Sequence, residues 1–280
     1  MKQKEGDFAG QGGLRLYWQA WCPDESARAV LLVAHGYGEH SGRYGNLVDF
    51  FVARGFAVYA VDHRGHGRSE GQRGHVKRFD ELVADLHAFR VRVEEDQREN
   101  PIVLVGHSLG GLIAVHYALA HGQGLAGVVL SSPALGLTGG PSRPLVWLAR
   151  VLSLFAPRAS FRGNVAPELL SHDASVGQAY AADSLVHRRV SARFFTELTR
   201  AIRLAHERAA EMRAPLLVLQ AGDDRLVDPH AVADFAGKAG SEVKEIRLYP
   251  DFYHEIFNET EKERVFADLA QWIETMIERG

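Results

Sequence analysis

Ile102–Gly111 reads IVLVGHSLGG, and no other stretch constrains the chain as tightly. Four apolar residues, Ile102 to Val105, lie between Pro101 and Gly106, the pattern of a short strand buried on both faces. Gly106-His107-Ser108-Leu109-Gly110 follows as G-x-S-x-G, and Leu112–Ala120 continues as an apolar, helix-permissive segment. A strand that turns straight into a helix strains its corner residue and leaves no room for side chains two residues to either side. Gly106 and Gly110 meet that demand, which places the Ser108 hydroxyl at the strand's carboxyl end as a candidate nucleophile. The helix N-terminus directs free N–H groups and a positive dipole end at the same spot, which suits an oxyanion.

The flanking chain has the periodicity this turn requires. Ala29–Ala34 (AVLLVA), Phe56–Val61 (FAVYAV) and Ala126–Leu130 read as buried strands, with helical spacing in Leu47–Ala53 and Phe79–Val93 between them. Gly13–Trp21 alternates loosely and predicts a first, antiparallel edge strand. The alternation resumes with strand Pro215–Gln220, helix Pro229–Ala239, strand Val243–Tyr249 and a last helix from Glu261 to Glu278. This predicts an α/β fold with a mostly parallel, doubly wound sheet. Between 132 and 205 the alternation lapses for far longer than a plain loop allows. The economical reading is a helical cap inserted between core segments 1–131 and 206–280.

Composition excludes several classes. A net charge of −3 supplies no basic excess for general nucleic-acid binding. Cys22 is the only cysteine, so no internal disulfide forms and a reducing, cytoplasmic setting is expected. MKQKEGDFAG has no apolar signal core, and no apolar run approaches the ~20 residues of a membrane span.

A nucleophilic serine needs a base in reach and an acid to orient that base, all at the carboxyl ends of strands. His254 follows the last strand and precedes the last helix, which singles it out among fourteen histidines. After PLLVLQ come Asp223 and Asp224, with Asp228 further on; spacing alone leaves the choice of acid open. The order Ser, Asp, His is that of α/β-hydrolases. The Leu109 N–H is one expected oxyanion donor, and the Tyr37 N–H, from His35-Gly36-Tyr37 after AVLLVA, is the other. His107 is expected to pack inside the elbow, and His63 and His66 to belong to a hydrogen-bonded scaffold rather than a metal site.

HGYGEHSGRY (His35–Tyr44), VDHRGHGRSEGQRG (Val61–Gly74), GHSLGG, SSP (Ser131–Pro133), GDDRLVD (Gly222–Asp228) and YHEIFNE (Tyr253–Glu259) together resemble the monoacylglycerol lipase family of α/β-hydrolases, the wider lysophospholipase and serine aminopeptidase-like group. The resemblance implies Asp224, directly before Arg-Leu, as the acid, and Tyr37 and Leu109 as oxyanion donors. It implies no metal or organic cofactor. The expected activity is cleavage of monoacylglycerol through an acyl-enzyme, with a lysophospholipid or short ester as the alternative. Dehalogenases and epoxide hydrolases resemble this fold but use Asp where Ser108 stands. Glu39 and Arg43 are expected at the polar end of the pocket or bracing its wall, the alternative being a surface ion pair.

The resemblance thins in the cap, to fragments such as Tyr180 and Asp183. Residues 132–203 hold nine arginines against four acids, a local charge of +5. Leu145–Phe155 is amphipathic, and Trp147, Leu148, Leu152 and Phe155 are expected to contact acyl chains and to let the cap dock transiently on anionic membranes or micelles. The alternative is that this apolar face packs on the core.

Overall fold

Runs of Val, Leu and Ala with no polar interruption can sit only in strands covered on both faces, and the covering helices alternate with them along the chain. The computed structural model describes residues 1–140, 142–163 and 165–279. It begins β1 (Lys2–Ala9), β2 (Arg15–Cys22), β3 (Val30–Ala34), α1 (Gly45–Val52), β4 (Ala57–Val61), α2 (Asp80–Asp96), β5 (Ile102–His107), α3 (Leu109–His121) and β6 (Leu125–Ser131). Next come α4 (Arg143–Phe155), β7 (Ser160–Arg162), α5 (Ala174–Ala182), β8 (Arg189–Ser191) and α6 (Ala192–Glu207). The chain closes with β9 (Leu216–Ala221), α7 (Pro229–Lys238), β10 (Lys244–Tyr249) and α8 (Lys262–Arg279).

Eight strands form one sheet in the order β1-β2-β4-β3-β5-β6-β9-β10, antiparallel at β1/β2 and β2/β4 and parallel from β4 onward. Alternate residues of each central strand feed two cores. Leu32 and Leu104 meet Leu86 and Phe89 of α2 and Leu112 of α3 on one face. Leu31, Val33 and Val105 meet Phe51 of α1 and Leu269 and Trp272 of α8 on the other. Such fully buried side chains each contribute about 1.5–3 kcal/mol by transfer.

One expectation is corrected. The strand read at Gly13–Trp21 is β2 and is not at the edge, because β1 pairs outside it along its whole length from Lys2↔Cys22 to Ala9↔Arg15. β1 (KQKEGDFA) has no apolar alternation because neither face is buried for most of its length, and its Lys and Glu residues blunt the exposed edge.

Between β6 and β9 no strand among the described residues joins the main sheet. β7 and β8 make their own two-stranded ribbon, and α4 packs on α6 through Ala149 and Ser153, with the Ser153 hydroxyl 3.0 Å from Thr196 Oγ1. The apolar stripe of α4 does not pack on the core. Trp147 is 66% exposed and Phe155 85%, and Leu145, Leu148 and Leu154 are exposed beside them.

Candidate active site

The carboxyl ends of β3, β5 and β9, with the loop after β10, converge on one cavity of about 320 Å³. Ser108 stands at the β5–α3 corner with φ 53° and ψ −115°, a conformation that side chains rarely adopt. Its backbone is held at both ends: the N–H donates to the Ser131 carbonyl (3.0 Å) and the carbonyl accepts from Ala134 N–H (2.9 Å). A Cβ on Gly106 would strike the Gly110 carbonyl, and one on Gly110 the Ala34 carbonyl, so both elbow glycines are steric requirements.

His254 comes off the loop after β10, and its Nδ1 lies 2.7 Å from Asp224 Oδ2. The other oxygen of Asp224 accepts the Leu226 and Val227 N–H groups, each at 2.9 Å. Asp223 turns outward to Arg225, so the two adjacent carboxylates have separate partners. Burial alone would lower the His254 pKa, but the Asp224 carboxylate raises it, and the net shift is above the usual imidazole value. Burial opposes ionisation of Asp224, yet His254 and the two N–H donors hold it below the usual carboxylate range. His254 and Ser108 line the same cavity, and among the described residues the serine hydroxyl makes no hydrogen bond to the imidazole. Such contacts commonly tighten only with substrate bound.

The Leu109 N–H opens α3 and has no acceptor within the helix. Tyr37 faces it from the loop after β3, and a Cβ on the preceding Gly36 would lie only 3.3 Å from Ser108 Cβ. That loop is braced by Glu39, whose Oε1 accepts the Gly36 N–H (2.6 Å) and the Tyr44 hydroxyl (2.9 Å). Arg43 joins Glu39 to Glu255, with Nη1 2.8 Å from Glu39 Oε2 and 2.6 Å from Glu255 Oε1, and Nη2 2.9 Å from Glu255 Oε2. Burial pushes the Glu39 carboxyl up, but Arg43, His107 and the Gly36 N–H and Tyr44 hydroxyl donors together outweigh it, leaving it below its usual value. Glu39 is 4% exposed, so the surface-pair alternative does not hold. Both residues line the cavity's polar end.

Four further histidines near the site are buried, and the His63 and His66 Nε2 atoms have no hydrogen-bond partner among the described residues. His107 Nδ1 lies 3.1 Å from Ser131 Oγ, and burial, reinforced by His254, pushes it down to about 4. His35 accepts the His63 N–H at 2.9 Å, and His66 Nδ1 lies 3.0 Å from the Arg64 carbonyl. Burial lowers the pKa of all three, that of His35 to about 3.

Trp147, Leu148, Leu152 and Phe155 do not line this cavity, which corrects the acyl-contact expectation. The outward tilt of the α4 stripe removes them, and Leu148 and Leu152 border a separate apolar groove with Phe161 and Phe195. The apolar wall is instead Leu137, Val165, Leu170, Phe194 and Leu198, scattered along the chain without a period that could identify them. Glu259 was also missed as a functional residue: wholly buried, it accepts the Tyr253 N–H (2.8 Å) and pairs with His172 Nδ1 (2.9 Å), tying the His254 loop to the segment after β7. Its place in YHEIFNE is a signal without a sequence-level mechanism.

A strained elbow serine and a buried His–Asp pair at the carboxyl edge of a mostly parallel sheet define a serine hydrolase of the α/β-hydrolase fold. Residues 25–261 match the family model described as serine aminopeptidase, S33. The monoacylglycerol lipase of Mycolicibacterium smegmatis is 38% identical over 97% of both chains. A phospholipase of Bacillus subtilis is 34% identical over 85% of this chain and 92% of its own. The crystal structure of Paleococcus ferrophilus monoacylglycerol lipase matches 99% of this chain and all of that one at 31% identity, with a TM-score of 0.82. The chain belongs to this family as a monoacylglycerol lipase-like carboxylester hydrolase. No helix among the described residues is long and apolar enough to cross a membrane.

Proposed function

We propose that the chain hydrolyses monoacylglycerols, with Ser108 as nucleophile, His254 as general base and Asp224 as the acid that orients and stabilises the imidazolium. The observation that carries this reading is a cavity apolar along Leu137, Leu170 and Phe194 but charged at Glu39 and Arg43, beside Ser108. An acyl chain suits the first wall and a small polyol the second. His254 takes the Ser108 proton as Oγ attacks the ester carbon, and the Leu109 and Tyr37 N–H groups receive the carbonyl oxygen as it gains charge. The imidazolium gives that proton to the departing glycerol oxygen. Water, deprotonated by the same base, then releases the fatty acid.

Residues 132–205 act as a cap over this cavity. The bare apolar face of α4 and the cap's excess of arginines support transient contact with anionic lipid surfaces. The single, buried Cys22 fits a cytoplasmic setting.

The test is glycerol release from 1-lauroylglycerol together with fluorophosphonate labelling. Ser108→Ala should abolish labelling and, like His254→Ala, lower kcat by about a million-fold, the double variant being no worse. Retained labelling in Ser108→Ala, or additive losses, would refute the assignment.

A further inference from the structure

β10 ends the sheet and pairs with β9 alone, so its outer edge is open among the described residues. The Val243 and Tyr249 carbonyls accept from the Leu216 and Gly222 N–H groups, at 2.9 and 2.7 Å, so the odd-numbered residues turn their backbone towards β9. The register between the two strands is unbroken, and the N–H and C=O groups of Lys244, Ile246 and Leu248 therefore point outward. Side chains alternate as well. Glu245, Arg247 and Tyr249 share the α8 face: Arg247 and the Tyr249 hydroxyl reach Asp268 at 3.3 and 2.7 Å, and Arg247 lies 3.2 Å from Glu245. On the opposite face Ile246 is 48% exposed and Leu248 57%. The Lys244 ammonium is drawn aside to the Ala239 carbonyl (2.8 Å), at the end of α7.

Outward backbone groups beside exposed apolar side chains make an edge that another strand can pair with. The sequence of β10 decides which strand. A second copy of β10 can approach antiparallel about a two-fold axis, outward residues against outward residues. An axis at Lys244, Glu245 or Arg247 sets that residue against its own copy, a like-charge pair each time. An axis at Leu248 sets Pro250, which has no N–H, opposite Ile246 and interrupts the ladder. An axis at Ile246 does neither. It pairs Ile246 with its own copy, lays the Lys244 stem over Leu248, and sets Glu245 opposite Arg247 on both sides of the axis. It also closes about six backbone hydrogen bonds. We propose that β10 is a homodimer interface, antiparallel and two-fold about Ile246, which joins the two main sheets into one. Such a contact uses the open β10 edge of both copies and so closes at two. The charges on this strand act as a register code, whereas the Lys and Glu residues of β1 only blunt the opposite edge.

The test uses the fact that residue 246 faces itself in this register. Sedimentation velocity on the wild type, from low to high micromolar, should show a monomer–dimer equilibrium. Ile246→Lys and Ile246→Glu should each be monomeric, because each puts like charges on the axis, and an equimolar mixture of the two should dimerise again. Ile246→Cys should oxidise to a covalent dimer, since the paired Cα atoms stand about 5.5 Å apart, while Leu248→Cys, paired with Lys244 instead, should not. The native Cys22 is buried and does not compete. None of these positions lines the Ser108 cavity, so unchanged hydrolysis of a monomeric ester shows that each variant is folded. A wild type that stays monomeric throughout would overturn the proposal. So would charge variants that still dimerise, or a mixture no more dimeric than its components.

Discussion

Removing Arg43 tests whether the polar end of the cavity is a buried charge network or a decorative ion pair. Arg43 bridges Glu39 and Glu255, and all three side chains are at most 10% exposed. In Arg43→Ala the two carboxylates keep no cation between them. Both lie within hydrogen-bond reach of one Nη1, so they are roughly 5 Å apart, and at an effective dielectric of ~20 they repel by about 3 kcal/mol. The alternative is to protonate one of them, which for a carboxyl of ordinary pKa costs about 3.4 kcal/mol at pH 7. Either route gives a loss of about 3–4 kcal/mol, in the range for breaking a buried pair. The second route also fixes the pH dependence. In the wild type, Glu39 lies below its usual pKa, so its stabilisation is present above the unfolded value and is lost as pH falls. In the variant the retained proton reverses the sign: the folded state binds more protons, and stability falls by up to ~1.4 kcal/mol per pH unit as pH rises. Wild type and variant should therefore converge towards pH 5 and diverge at pH 8. Urea unfolding at both pH values measures this, and adding Glu255→Gln to the variant should recover more than half of the deficit. A deficit below ~1 kcal/mol and equal at both pH values would refute the buried-network reasoning and return the pair to the surface class.

Two further expectations concern other parts of the molecule. Because Asp224 lifts the His254 pKa and the base works only when neutral, kcat/KM on a soluble ester should rise through a midpoint above 6.5 and then plateau. Asp224→Asn should lower that midpoint, since the nearest carboxylate opposing burial is removed while Glu255 and Glu39 remain, and lower the plateau by about 10⁴-fold; a midpoint that stays put would contradict the assignment of the acid. Replacing exposed Trp147 and Phe155 by Ser should reduce sedimentation with anionic vesicles, most visibly at low salt, and leave hydrolysis of a monomeric ester unchanged; equal binding by wild type and variant would show that α4 does not carry the contact.

What the sequence disclosed, and what it withheld, follows from where each signal originates. β3, β4 and β5 were legible because burial on both faces forces an unbroken apolar run, and the elbow because two glycines are sterically compelled around Ser108. β1 was not legible, since an edge strand with both faces in water has no pattern to display. Amphipathicity marked α4 as a helix but not which way it faces: an apolar stripe looks the same whether a core or a lipid surface is its partner, and here Ala149 and Ser153 took the protein contact. The same ambiguity governs charge. Glu39, Arg43 and Glu255 compensate one another across more than two hundred residues of chain, whereas Arg162 and Arg189, closer in sequence, face each other uncompensated. Nothing in composition separates these cases, because both are arginines among acids in a chain of near-neutral charge. Only register and burial do. The first arrangement is buried and paired, and the second stands exposed on the β7–β8 ribbon. Tyr180 stands between the two, its ring facing Arg43 and Arg188. The Tyr180 ring thus links residues 174–191 to the charged end of the cavity next to Ser108, a contact that neither arginine's position in the sequence announces.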